Sequence, residues 1–207
     1  METARKRTWT SHPFRAVALA AAAIAIGVAT HRGSGRERDA ELFHAVNASH
    51  TPAGDRAFAG ITELGSIWAS VGAAIALVLL GKRTPAFRAL AAALATWTLG
   101  QGLKKVFARP RPFDAHPDTA RVMTGRPGST SWPSSHPAVL FAFTTVAARE
   151  LGLPAPGRAA LGALAASVGA SRTYLGVHFP SDVAGGLLLG RAVGLAWPIP
   201  EPRPPVE

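Results

Sequence analysis

The 207-residue sequence contains no cysteine. That excludes a disulfide framework, a thiol nucleophile and any cysteine-ligated metal, and it leaves the redox compartment open. Acidic residues are also scarce: 12 Asp and Glu stand against 22 Lys and Arg, a formal charge of +10. Such a balance suits nucleic acid, anionic lipid or a phosphate-bearing substrate. The basic residues fall between apolar runs rather than along one polar face, which argues against a nucleic-acid partner. Charge of either sign is missing from several long stretches, although hydrophobic residues total only 48% and mean hydropathy is +0.18. The average hides a patchy distribution.

Six apolar runs stand out, at 16–30, 64–81, 89–103, 137–148, 159–170 and 183–200. A bilayer helix needs about 20 mostly apolar positions, and the run 64–81 comes close without a single charge. Runs four and five are short and Ala-rich, and each alone would suit a soluble core helix. Six runs separated by compact turns argue for a membrane bundle. The expected fold is all-α, a six-helix transmembrane bundle with its active site at the outer membrane interface and the bilayer as a partner. Its parts would be a basic tail at 1–13, the membrane domain at 14–200 and a Pro-rich tail at 201–207. The first run suits a membrane helix or a signal-peptide core, and a retained helix is preferred. Residues 31–58 read as a loop with at most a short surface helix. Gly186, Gly190 and Gly194 share one helix face, a spacing that lets helices approach closely. Arg191 interrupts the sixth run and is expected to snorkel towards water.

The N-terminal segment and the turns 82–88 and 149–158 are short and net basic, so they are expected on the cytoplasmic side. Alternation then places 31–58, 104–136 and 171–182 on the extracytoplasmic face of the cell membrane. The loop 104–136 breaks the charge rule, since it holds Lys104, Lys105, Arg109, Arg111, Arg121 and Arg126. Charge kept there against the rule points to chemistry.

Three polar patches sit at the ends of these runs. The first is Lys104-x6-Arg111-Pro112, the second Pro133-Ser134-Ser135-His136, the third Arg172-x5-His178-x3-Asp182. In the third, Pro180 suits the first turn of a new helix, which puts Asp182 in that turn and within reach of His178. A carboxylate that holds one imidazole nitrogen leaves the other free to act. Alone, a His–Asp pair at this spacing is more often a local structural contact. The two upstream patches tip the reading towards function.

Together, in this order, the patches resemble the phosphatidic acid phosphatase type 2 superfamily of membrane lipid phosphatases, kin to bacterial acid phosphatases, glucose-6-phosphatase and vanadium haloperoxidases. The resemblance covers roughly residues 60–190, with Ser135 standing where the family usually has glycine. It implies a phosphatase acting on a lipid phosphate or diphosphate, such as a polyprenyl diphosphate, phosphatidate or phosphatidylglycerophosphate. It implies that His178 is the nucleophile forming a phosphohistidine, that Asp182 orients it, and that His136 is the general acid and then the base. The residue chemistry matches. Lys104, Arg111 and Arg172 would supply cationic donors to a phosphoryl group whose charge spreads over its oxygens. The Ser134 hydroxyl and the N–H groups near Ser135 and His136 would add neutral ones.

Three cations at one site supply the charge a metal would bring, so neither metal nor other cofactor is expected. Lys105 and Arg109 are expected to be interface charges, His12, His31, His44, His50 and His116 surface residues, and Asp114 and Asp118 solvated. Trp68, Trp97 and Trp197 read as packing or headgroup-level anchors, while Trp132 stands close enough to the second patch to line a substrate entrance. The rival readings are a phosphotransferase or haloperoxidase on the same scaffold, and a non-catalytic lipid-phosphate binder. Binding alone would not need the His136, His178 and Asp182 set.

Overall fold

The computed structural model describes residues 9–31 and 33–200. The start of the basic tail and the tail 201–207 lie outside the described residues. Within them the chain forms nine helices: α1 (Pro13–Ala29), α2 (Ser34–Ala48), α3 (Pro52–Glu63), α4 (Ile67–Leu79), α5 (Arg83–Phe107), the one-turn α6 (Pro112–Ala115), α7 (Ser135–Glu150), α8 (Ala155–Tyr174) and α9 (Pro180–Ala196). Two-residue strands, β1 (Trp9–Thr10) and β2 (Ile199–Pro200), pair antiparallel and tie the two ends of the domain together.

The all-α expectation holds, and each of the six apolar runs falls in one helix (α1, α4, α5, α7, α8 and α9), but the count of six does not hold, because α2, α3 and α6 add to it. Residues 31–58 are helical rather than a loop, forming α2 and most of α3. Pro52 sits in the first turn of α3, and the Thr51 hydroxyl accepts the Gly54 N–H at 3.0 Å as its cap. The run 64–81 yields only α4, because Ser66 caps a new helix by accepting the Ala69 N–H at 3.0 Å. The chain turns by 61° between α3 and α4. Gly65 at that bend lies so close to α7 and α8 that a Cβ there would stand 2.5 Å from Val168 and 2.8 Å from His136. Among the described residues no single helix is long and apolar enough to cross a membrane. The bent pairs α1 with α2, and α3 with α4, reach that length and composition together.

Small residues face inward and large ones outward. Ala86, Ala89, Ala92 and Ala93 of α5 are buried with Val139, Phe143 and Val146 of α7. Phe14 and Val28 of α1, Trp68 and Leu79 of α4, and Phe87 and Val106 of α5 are exposed, Trp68 by 77%. So much exposed apolar surface marks a surface built for another apolar phase. Without a hydrophobic drive between helices, close approach of small residues carries the packing. The glycine stripe of α9 does this against α7: a Cβ on Gly190 would lie 2.2 Å from the Ala138 carbonyl oxygen, and one on Gly194 would lie 2.6 Å from Thr145 Cβ.

Arg191 does not run free to water. Its guanidinium donates to the Thr145 hydroxyl at 3.0 Å and lies over the Phe141 ring, so it is a half-buried tie between α9 and α7. At the same end of the bundle Arg149 donates to the carbonyls of Gly194 at 2.7 Å and Trp197 at 2.9 Å. It thereby neutralises the negative C-terminus of α9. The C-terminus of α5, the N-termini of α7 and α9 and the C-terminus of α8 all meet at the other end.

Candidate active site

Those four helix ends bring the three sequence patches into one buried cluster. Lys104 lies in the last turn of α5, just beyond the run 89–103, and is 4% exposed. Its ammonium donates to the carbonyls of Thr130 at 2.7 Å and Ser131 at 3.1 Å. Ala108 then adopts a left-handed conformation, φ 46°, which ends α5 and turns the chain into Arg109-Pro110-Arg111. Arg111 donates from Nε to the Ser129 carbonyl at 2.6 Å and from Nη1 to the Val177 carbonyl at 2.8 Å. Arg172 is in the last turn of α8 and donates to the Thr62 hydroxyl at 2.7 Å.

His178 sits in the short connection between α8 and α9, 2% exposed, and Asp182 is fully buried in the first turn of α9 with Pro180 at its start. The Asp182 Oδ2 atom lies 3.4 Å from His178 Nδ1 and accepts the Phe179 N–H at 2.8 Å and the Ser131 hydroxyl. On the other side of the ring, Arg111 Nη1 is 3.1 Å from Nε2. A guanidinium has no lone pair to offer, so Nε2 must be the acceptor and the ring proton belongs on Nδ1, facing Asp182. That leaves the Nε2 lone pair directed at the cations.

Burial, and then Arg111, Lys104, Arg172 and His136, hold His178 well below the usual histidine range. It is therefore neutral, the state a nitrogen nucleophile requires. Burial raises the Asp182 carboxyl, while Arg109, the Ser131 hydroxyl and the Phe179 N–H pull it back. His136, at the start of α7, is lowered to about 3 by burial and then by Arg172, Arg111 and Lys104. Lys104 is lowered to about 7 and Arg111 to about 10, in both cases chiefly by burial.

Several polar atoms in this cluster are buried without a protein partner: the hydroxyls of Ser134 and Ser135 and Nε of Arg172. A buried donor left unpaired is costly, and donors gathered around cations suit an anion with several oxygens. Ser135 takes helical backbone geometry as the first residue of α7, so a side chain is tolerated where the family usually has glycine.

Three expectations are corrected. Arg109 is no interface charge: it is 4% exposed and ion-paired to Asp182 at 2.8 Å and Asp39 at 2.7 Å. Trp132 lines no entrance: it is fully buried, stacked on Phe107 and packed so tightly on α1 and α9 that a Cβ on Gly27 or Gly185 would strike its ring. Lys105 is exposed as expected, whereas His44 and His116 are half-buried with their rings 5.0 Å apart. The residues missed were Asp39, Thr62 and Ser131. Only Ser131 carried a signal, standing three residues before Ser134.

Residues 85–201 match the profile of the PAP2 superfamily, more than half of the chain. The chain belongs to the PAP2 superfamily. Decaprenylphosphoryl-5-phosphoribose phosphatase of Mycolicibacterium smegmatis is 35% identical over 133 residues, 64% of this chain and 69% of that protein. Among solved structures, the transmembrane PAP2 type phosphatidylglycerolphosphate phosphatase from Bacillus subtilis superposes with a TM-score of 0.72 at 25% identity, covering 87% of this chain and 92% of the other. LpxE of Aquifex aeolicus gives 0.64 at 29% identity, covering 74% and 90%. This PAP2 chain is accordingly a lipid phosphatase and a membrane protein.

Proposed function

We propose that the chain hydrolyses a lipid phosphate monoester, with a polyprenylphosphoryl sugar phosphate as the leading class, at the outer membrane interface. The observation that carries the site assignment is the convergence of Lys104, Arg111, Arg172 and the unpartnered Ser134 and Ser135 hydroxyls around the His178–Asp182 pair. The substrate class is supported by the named activity of the mycobacterial relative.

In this reading the phosphate displaces Arg111 from His178 and is held by the three cations and the serine hydroxyls. Nε2 of His178 forms a bond to phosphorus as the P–O bond to the lipid alcohol breaks. His136 gives its proton to the departing oxygen. The imidazole becomes cationic on phosphorylation, and the Asp182 carboxylate, close to Nδ1–H, stabilises that charge. In the second half His136 takes a proton from water, whose oxygen attacks phosphorus and breaks the N–P bond to release inorganic phosphate. In the free enzyme burial, and then Arg172, Arg111 and Lys104, hold His136 neutral. The negative charge of the arriving phosphate restores the basicity it needs to carry a proton.

The outer placement rests on the basic residues Lys82, Arg83, Arg88, Arg149 and Arg158, which cluster at the end of the bundle remote from the site. A periplasm-active reporter inserted within 113–130 should be active and one fused after Glu207 silent; the reverse pattern would place the site inside. The substrate is tested by phosphate release from detergent-purified protein on a lipid panel. It should contain a polyprenylphosphoryl phosphoribose, a phosphatidylglycerophosphate and a phosphatidate. Preference for either glycerolipid would overturn the polyprenyl assignment.

A further inference from the structure

A second ionic cluster backs the candidate dyad. Arg109 Nη1 donates to Asp182 Oδ1 at 2.8 Å and to the Ser181 hydroxyl at 2.6 Å, while Nη2 donates to Asp39 Oδ2 at 2.7 Å. Its guanidinium lies 4.3 Å over the Phe179 ring. Asp39, on α2, also accepts the Ser181 N–H at 2.9 Å. It thus satisfies a free donor in the first turn of α9, the turn that carries Asp182. Arg109, Asp39 and Asp182 are 4%, 4% and 0% exposed. Burying three charges costs desolvation, and apolar side chains of similar volume would often hold the fold as well. A function in orienting a reacting group accounts for keeping them.

We infer that Arg109 and Asp39 are positioning residues of the phosphatase reaction, together holding the Asp182 carboxylate turned so that Oδ2 faces Nδ1–H of His178 and setting its basicity from opposite sides. This rests on the roles proposed above for His178 and Asp182. Asp182 has two oxygens and they are divided: Oδ1 is held by Arg109, and Oδ2 by Ser131, the Phe179 N–H and His178. With Oδ1 fixed, the carboxylate cannot rotate away as the imidazole becomes cationic on bonding to phosphorus. Asp39 acts in the opposite sense to Arg109. By sharing the guanidinium it limits the pull on Asp182, which keeps enough basicity to hold the imidazole proton. The charged groups facing Asp182 are Arg109, Lys104, Arg111 and Asp39, with the titratable but neutral His178 beside them.

The test is rapid-quench measurement of phosphohistidine formation from an aryl phosphate by the full-length protein in proteoliposomes, as a function of pH. Variants are Arg109→Gln, Arg109→Lys and Asp39→Asn, with His178→Ala and Asp182→Asn alongside. The substrate's own ionisation is common to all, so only a difference between variants reports on Asp182. Arg109→Gln should slow phosphorylation about 10²-fold at unchanged KM and move the acid limb to higher pH, because the buried carboxyl loses its cation. Arg109→Lys should recover much of the rate. Asp39→Asn keeps an acceptor for the Ser181 N–H but leaves Arg109 wholly to Asp182, so its acid limb should move to lower pH. A structural role alone would lower active enzyme without moving the two limbs in opposite directions. If Arg109→Gln does not yield folded protein, the Asp39→Asn limb decides. An Asp39→Asn limb coincident with wild type, or an Arg109→Gln effect confined to KM, overturns the inference. A phosphoenzyme in His178→Ala would instead overturn the reading on which it rests.

Discussion

The Arg111 guanidinium lies 3.1 Å from Nε2 of His178, on the one lone pair of the ring that is free to attack. The same guanidinium group is held by backbone carbonyls of Ser129 and Val177. In the free protein it therefore covers this nitrogen, and on the proposed reading an arriving phosphate must draw it aside. An anionic oxygen is the stronger acceptor, so on the proposed reading a phosphate that takes over the Arg111 N–H exposes Nε2 in the same step.

Different roles for the two histidines predict different substrate dependence. His178→Ala should abolish turnover of every substrate. For His136→Ala, loss of acid catalysis should cost about 10²–10⁴-fold on an alkyl lipid phosphate but much less in the first step on a nitrophenyl phosphate, whose leaving group needs no proton. The second step still needs a base, so phosphoenzyme should accumulate as a product burst. Single-turnover release of alcohol from both substrates is the measurement. Equal losses on the two for His136→Ala would contradict the assignment.

Lys104 carries a pH prediction with a definite sign. Its ammonium is lowered to about 7, first by burial and then by Arg111, so the cation is present below that pH and lost above it. For an aryl phosphate, kcat/KM should fall as pH rises from about 6 to about 9. Lys104→Arg, which stays charged throughout, should flatten that fall. An unchanged profile in the variant would locate the ionisation on another group.

The positive charge at the site comes from side chains, so hydrolysis should persist in excess chelator. Vanadate should inhibit by taking the trigonal-bipyramidal form of the transferring phosphoryl group. Loss of activity in EDTA, restored by a divalent cation, would show that a metal shares the work.

The α7–α9 seam predicts a stability effect separable from chemistry. A Cβ on Gly190 would stand 2.2 Å from the Ala138 carbonyl oxygen, backbone that cannot swing aside. Gly190→Ala should destabilise by about 1–3 kcal/mol, seen as a lower midpoint on thermal unfolding in detergent. A neutral result would mean that the two helices separate more easily than their packing implies.

The residues of the candidate site were legible because each patch is contiguous in the chain and sits where an apolar run stops. Pro180 and Asp182 even disclosed their helix turn. Asp39 was not legible: it lies in a mixed-charge stretch and meets Arg109 across 70 residues, a pairing that no local pattern encodes. Arg109 itself stood in plain view in Arg-Pro-Arg-Pro, but residue type does not say which of two guanidiniums will meet a carboxylate. The bend at Gly65 was invisible for another reason. Hydropathy measures what a stretch is made of and carries no direction, so the run 64–81 gave no sign that it begins at a turn.

Asn47 bears on the order of assembly. Its amide donates to the carbonyls of Arg121 and Tyr174, both at 2.9 Å, and accepts the Arg121 N–H at 2.8 Å, which joins segments 74 and 127 residues away. Closing such long loops costs entropy before any bond forms, and contacts of this separation slow folding. A single side chain cannot recruit those partners from an open chain; it can only fasten them once α2, α8 and the intervening loop have already been delivered by helix packing. The Asn47 junction is thus a late latch, so a refolding chain should regain its helices before it regains turnover.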